Sequence, residues 1–187
     1  LHLADLDDVC VTNINRQINA LSNTIGHPKI EVMAERCRLI SKSIDVQVTQ
    51  KFITEKTVAD AITTDFDLVI DCGDHQWAKA ALIAHTRKLQ IPVITIGAAG
   101  GRIDPTRVQT RDLSKTDGDA LLAAVRQTLR NRFGFPRAKS KRFFVSAIFS
   151  DEQTRYHQPD GSIGQARPKH ISYGLSCSSA LGSVSHV

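Results

Sequence analysis

Three acids, two asparagines and an arginine fall within DLDDVCVTNINRQ, residues 5–17, just after a short apolar opening. A carboxylate at the end of a strand in a nucleotide fold accepts hydrogen bonds from two ribose hydroxyls, and Asp5 is placed for that. Arg16 is a natural bidentate partner for phosphate, and Asn13 can hydrogen-bond beside it. Lys29 follows His27-Pro28 at the first turn of a helical pattern. A lysine there opposes the helix dipole, unless an anion at the helix start faces both the amides and the ammonium. A solvated surface lysine is the plain alternative. Farther on, DCGDH at 71–75 sets Asp71 and Asp74 after an apolar strand. One of them can sit on Mg2+ bridging nucleotide phosphates, because Mg2+ needs only one or two carboxylates. Asp74 is also a good N-cap for the helix that follows.

These residues need elements to hold them. Residues 1–4 read as the tail of a strand. HPKIEVMAERCRLI, 27–40, reads as a helix, with Ile30, Met33, Cys37 and Ile40 at helical spacing and Pro28 in its first turn. The alternation Ile44, Val46, Val48 predicts a strand over 44–50. Thr54 caps a short helix over 55–62. DLVIDC, 67–72, has the pattern of a buried parallel strand. Residues 76–89 are helical in pattern, and IPVITIG, 91–97, is another buried strand. Strands alternating with helices over 1–97 predict an α/β fold with a mostly parallel sheet flanked by helices. In such sheets ligands bind beyond the carboxyl ends of the strands. Asp5, Asp71, Asp74 and the glycines 97, 100 and 101 all fall there.

After residue 101 the pattern changes to a mixed or antiparallel extension. Residues 102–113 read as a strand with polar alternation. Residues 119–133 read as a helix with Leu122, Val125 and Leu129 on one face, and 143–149 as a further strand. Residues 150–187, rich in Gly, Ser, His and Pro, read as loops with short extended pieces. The GAAGG at 97–101 lacks both GxGxxG spacing and a phosphate-loop GK[ST], so it reads as a flexible or tight turn.

The bulk numbers bound the class. The chain has 187 residues, 41% of them hydrophobic, enough for one domain with a sizeable core. Its net charge of +5 suits nucleic acid or nucleotide partners, and suits an ordinary basic enzyme equally well. Cys10, Cys37, Cys72 and Cys177 form no CxxC pair, which argues against a zinc knuckle or a redox pair and for free, buried thiols. No apolar run approaches a membrane span. From 120 to 150 there is no Asp or Glu, while Arg126, Arg130, Arg132, Arg137, Lys139, Lys141 and Arg142 are interleaved with Phe133, Phe135, Phe143 and Phe144. Such a segment can track an RNA backbone and stack an exposed base. A solvated helix face over core phenylalanines is the alternative.

The order of these features carries more than any one of them. DxDxVxxxNxxRQ, then GxPK, then a strand ending DCxD, then a strand ending in glycines, resembles the ubiquitin-activating-enzyme-like superfamily of adenylating enzymes. NINRQINAL, KIEVMAERCRLI, AAGGRIDPTRVQTRDLSKT at 98–116 and VSAIFSDEQ at 145–153 look like one branch, the tRNA threonylcarbamoyladenosine dehydratases. The resemblance covers roughly 1–160. It implies a Rossmann-like single adenylating domain, with nucleotide binding in 1–101 and substrate binding in 102–187. It implies that ATP adenylates the carboxylate of a threonylcarbamoyl group on tRNA, and that ring closure then releases AMP.

By the same resemblance Arg16, Lys29 and Asp74 are catalytic. Asp5, Asp7, Asn13, Arg16, Lys29, Asp71, Asp74 and His75 contact the nucleotide. Asp74 holds Mg2+, and Arg130, Arg132, Arg137, Lys139, Lys141 and Arg142 bind RNA. A monovalent cation, a homodimer, a cysteine-desulfurase sulfur-acceptor system and a cytoplasmic location belong to the same expectation. The Gly-rich first strand and loop are missing from the pattern. The family's C-terminal apolar helix is shortened or scrambled after about 170, which leaves open a membrane association through that segment. The chain therefore reads as a fragment. Two other readings stay open: an activator of a ubiquitin-like sulfur carrier, and a fragment without catalytic activity.

Overall fold

The KIEVMAERCRLI segment starts its helix where Pro28, which has no amide hydrogen to lose, occupies the N-cap rather than the first turn. In the computed structural model, which describes residues 1–157, 160 and 162–165, this helix is α1 (Lys29–Ile40). Its buried face is narrower than the expected stripe. Ile30 and Ala34 are buried, Met33 and Cys37 are partly covered, and Ile40 is 75% exposed. The chain divides into two compact units, residues 1–61 and 62–187.

In the first unit, β1 (His2–Ala4) pairs in parallel with β2 (Gln47–Thr49), with Leu3 opposite Val48. A parallel pair needs a crossover, and α1 provides it, packing on both strands. The alternation over 44–50 yields a strand only at 47–49. Val46 is buried just before it, and its carbonyl accepts a hydrogen bond from Arg38 Nη2 at 2.9 Å. Thr54 closes a turn, accepting from the Thr57 amide at 3.3 Å, and the helix α2 occupies only Val58–Ala61.

The second unit is a four-stranded sheet in the order β3 (Val69–Asp71), β4 (Val93–Ile96), β6 (Ser146–Ser150), β5 (Val108–Asp112). The first three strands run parallel, and β5 runs antiparallel to β6. This is the α/β, mostly parallel arrangement with an antiparallel extension that the sequence predicts. The helices α3 (Gln76–Lys88) and α4 (Ala120–Arg132) pack on each other, with α3 also against β3 and β4. Leu122, Val125 and Leu129 are fully buried, as their spacing requires. The core is completed by Ile83, Leu113, Phe143, Val145, Ala147 and Phe149.

Four expectations need correction. β3 is parallel but is the outer strand of its sheet, so Leu68 and Ile70 are 44% and 59% exposed. The strand expected over 102–113 is confined to 108–112, because Asp104 and Pro105 open a tight turn in which the Asp104 carboxylate accepts the Thr106 amide. The strand expected from 143 starts at 146, after a left-handed residue, Phe144, at φ 57°. Cys10 and Cys72 are exposed and Cys37 is intermediate, so the thiols are not a buried set; Cys177 lies outside the described residues. Beyond β6, β7 (Tyr156–His157) and β8 (Ile163–Gly164) form a small antiparallel ladder. Among the described residues, no helix is long and apolar enough to cross a membrane.

Candidate functional site

The turn that follows β1 is built by its own acids. Asp5 Oδ1 accepts the amides of Leu6 and Asp7 at 2.7 and 2.9 Å, which bends the chain away from the strand. Residues 7–9 then run beside 26–29. The Lys29 amide bonds the Asp7 carbonyl at 2.9 Å, and the Val9 amide bonds the His27 carbonyl at 2.9 Å. This brings Lys29 Nζ to 2.8 Å from Asp7 Oδ2, with the lysine largely covered and the aspartate 60% exposed. The short turn Val11–Asn13 follows. Asn13 is buried, and its Oδ1 accepts the Cys10 amide at 3.0 Å, so it shapes the turn. Arg16 Nη1 donates to the Thr12 carbonyl at 2.7 Å and to Asn15 Oδ1 at 3.0 Å. The first unit thus brings Lys29 to Asp7 on segments tied by backbone hydrogen bonds, with Asp5 turning the chain just before them and Arg16 held on the turn that follows.

At the carboxyl ends of the parallel strands in the second unit, the two acids of DCGDH have different environments. Asp71 is 5% exposed. Its Oδ2 lies 2.9 Å from Lys79 Nζ and accepts Thr95 Oγ1 at 2.7 Å, while Oδ1 accepts the Gly73 amide at 3.3 Å. Lys79 has no exposed side-chain surface. It also donates to the Gly73 carbonyl at 2.8 Å and to the Asp71 carbonyl at 3.2 Å. Asp71 is therefore committed to a buried ion pair that fixes the turn. Asp74 is exposed, and α3 takes His75, not Asp74, as its N-cap. Between them, Cys72 has its thiol pushed above the ordinary range, first by the protein crowding it and then by the Asp71 carboxylate; Lys79 acts the other way. Among the described residues, no cluster of three or more His, Cys, Asp or Glu is assembled for a metal.

The glycine turn after β4 is pinned. Asp119 Oδ2 accepts the Ala98 amide at 2.8 Å and pairs with Arg102 Nη1 at 3.1 Å, while Oδ1 caps α4 through the Leu122 amide at 2.8 Å. Arg102 is 2% exposed and also donates to the carbonyls of Ala98, Gly118 and Glu152. Glu152 Oε2 takes the amides of Ile103 and Asp104 at 2.9 Å each. Gly101 sits at φ 75°, and a Cβ there would meet the Arg155 carbonyl at 2.5 Å. Of the two forms of turn expected here, this is the tight one.

The acid-free basic segment is mostly surface. Arg132, Arg137, Lys139, Lys141 and Arg142 are exposed. Arg130 reaches the Pro136 carbonyl at 3.2 Å and lies over the Phe143 ring. Phe135 and Phe143 are buried edge to face at 5.0 Å, so they belong to the core. Phe133 is partly covered, and Phe144 is 69% exposed. Trp77, 50% exposed, has the Arg132 guanidinium 5.2 Å from its ring centre.

Sequence reasoning missed Lys79, Arg102, Asp119 and Glu152. Lys79 had a signal, a lone charge inside the apolar stripe of QWAKAALIA, since a lysine so placed must find a partner when buried. Asp119 stands at the N-cap position of a predicted helix. For Arg102 and Glu152 the signal lies in long-range packing, which periodicity does not report.

Residues 1–149 match the ThiF family. The chain is 42% identical over a 190-residue alignment to the tRNA threonylcarbamoyladenosine dehydratase of Escherichia coli strain K12, spanning 99% of this chain and 69% of that protein. It is 46% identical over 158 residues to the protein of the same name from Haemophilus influenzae, spanning 84% of this chain and 60% of that one. A crystal structure of the E. coli dehydratase in complex with ATP superposes with a TM-score of 0.82 at 40% identity, over 98% of this chain and 71% of that chain.

Proposed function

The chain belongs to the ThiF family, and we propose that its reaction is the ATP-dependent dehydration of threonylcarbamoyladenosine in tRNA. The observation that carries this reading is the 42% identity, over 99% of the chain, to a dehydratase whose structure has been solved with ATP. The donor set of the first unit fits a nucleoside triphosphate. Asp5, at the carboxyl end of β1, supplies the acceptor a ribose needs, with Asp7 beside it. Arg16 and Lys29 supply the charge a phosphate chain needs. Lys29 already has a carboxylate partner in Asp7, but the aspartate side of the pair is open to solvent, which weakens it and leaves the lysine available to phosphate. Asn13 keeps the turn that presents Arg16.

The substrate carboxylate is a poor electrophile. Attack of that carboxylate on the α-phosphate of ATP displaces pyrophosphate and leaves an acyl adenylate. Attack by the carbamoyl group of the same nucleotide then closes the ring and expels AMP, so the nucleoside loses one water overall. The second step is intramolecular and needs no protein nucleophile; the raised Cys72 thiol is not required. Arg16 and Lys29 oppose the charge that builds on the α-phosphate. Asp74, exposed after the turn, would hold Mg2+ with His75 beside it, and Asp71 would act by fixing that turn through Lys79. Mg2+ held there would neutralise phosphate charge.

On the same reading, nucleotide binding belongs to 1–101 and substrate binding to 102–187, with Arg130, Arg132, Arg137, Lys139, Lys141 and Arg142 on the RNA. A cytoplasmic homodimer is expected, and light scattering of the full-length protein tests its state. Substituting choline for potassium tests the monovalent cation, and co-purification with a cysteine desulfurase system tests that partner. The decisive experiment supplies the full-length protein with ATP, Mg2+ and tRNA carrying open-chain threonylcarbamoyladenosine. The expected result is a nucleoside lighter by one water, with AMP release that Arg16→Ala abolishes. An unchanged nucleoside mass beside an active control overturns the reading. Pyrophosphate exchange driven by a carrier protein ending in Gly-Gly would then point to the sulfur-carrier activator.

A further inference from the structure

We infer that a cleft at the amino ends of β4 and β6 takes an unstacked base of the RNA, on a platform formed by Phe144 with Arg87 and Arg142. The inference rests on the tRNA reading above and adds a contact away from the chemistry. β3, β4 and β6 run parallel, so the 71–75 turn and the glycine turn lie at one end of the strands and this cleft at the other. The cleft measures about 550 Å3, and Arg87, Gln90, Pro92, Val93, Phe144 and Val145 line it.

Phe144 carries the argument. It is a large aromatic residue, 69% exposed, in a left-handed backbone conformation (φ 57°) that a side chain with a Cβ resists. Strain of this kind persists only where the surroundings impose it. Here Asp112 imposes it. Its carboxylate is 4% exposed, accepts the Phe144 amide at 2.8 Å and the Phe143 amide at 3.0 Å, and lies 3.5 Å from Arg142 Nε. Gln90 is the other non-glycine residue with positive φ among the described residues, and it lines the same cleft. Its conformation has a simple cause, since it follows the last turn of α3. Phe144 has no such local cause, and the anchoring leaves the residue 69% exposed, with the Arg87 and Arg142 guanidinium groups over its ring.

The surroundings select the occupant. The Arg87 and Arg142 guanidinium groups lie 5.3 and 5.6 Å from the Phe144 ring centre. Arg87 is fixed from behind by its bond to the Phe143 carbonyl at 2.7 Å. Lys88, Lys139 and Lys141 are exposed, and residues 120–150 hold no acid. An exposed ring beside two arginines, with the Asp112 side chain covered beneath them, matches a base that stacks and a phosphate that pairs.

The test exploits the strain. Phe144→Gly removes the ring and suits φ 57°, so the variant folds at least as well as the parent. In the full-length protein, its Kd for substrate tRNA should rise roughly fivefold or more. The slope of log K against log salt should stay as in the parent. Arg142→Gln should lower that slope by about one. A Phe144→Gly protein that binds tRNA within twofold of the parent, while the parent binds and dehydrates it, overturns this inference and leaves the dehydratase reading standing. A parent protein that binds no tRNA overturns both.

Discussion

Replacing Lys79 by alanine tests whether the buried pair with Asp71 holds the 71–74 turn. The substitution leaves Asp71 charged and 5% exposed, with Thr95 Oγ1 and the Gly73 amide as its remaining neutralising contacts. Removing one partner of a buried pair costs about 3–5 kcal/mol, against a whole-domain stability of about 5–15 kcal/mol. At about 2–4 °C per kcal/mol for a chain of this size, Tm should fall by roughly 6–20 °C. Circular dichroism melts of parent and variant measure this directly. A loss under about 1 kcal/mol would refute the claim that the pair is buried and intact. The double variant Lys79→Met with Asp71→Leu separates stability from function. An apolar pair of similar volume should recover most of the lost stability. It does not restore the hydrogen bond from Lys79 Nζ to the Gly73 carbonyl, so AMP formation should stay impaired. A double variant as active as the parent would show that the pair does not position Asp74.

Other expectations follow from single contacts. Gly97→Ala sets a Cβ against Asp119 Oδ2 and 3.0 Å from Phe149 Cβ. Overpacking of that kind costs about 1–3 kcal/mol, visible as a lower urea midpoint, and a midpoint equal to the parent's would mean the turn can shift. Asp112 experiences burial, which alone would raise its pKa, but the bonds from Ser114, Phe143 and Phe144 outweigh it and hold the carboxyl below the ordinary range. A depressed carboxylate contributes stability that is present above the ordinary Asp value of about 4 and is lost as pH falls through the lower folded value. Stability of the parent should therefore drop below about pH 4 with a component that Asp112→Asn lacks; identical acid profiles would contradict this.

What the sequence made legible was the work of short-range rules. The apolar runs before Asp71 and Gly97 gave β3 and β4, and the stripe Leu122, Val125, Leu129 gave α4, because one element's burial writes its own period. The acids after β1 were readable since strand ends are where polar residues interrupt apolar ones. The failures are long-range. Ile70 looks like a core residue and is exposed because β3 ends up outermost, which no local pattern encodes. Asp71 looked like a ligand and is held by Lys79, a partner one helix turn into α3. Phe143 and Phe144 are neighbours of one type with opposite fates, decided by the carboxylate of Asp112 on a different strand.

Asp119 joins three jobs in one carboxylate: it starts α4, closes the turn after β4, and balances Arg102. The consequence lies in how the second unit breathes. A rotation of the Asp119 side chain that frees the Ala98 amide also disturbs its cap on the first turn of α4, which couples the glycine turn to the helix start. Amide hydrogen exchange at Ala98 and at Leu122 should then report the same opening free energy, as residues of one cooperative unit do. A turn built from three glycines and two alanines would in this way be as hard to open as the helix it is tied to.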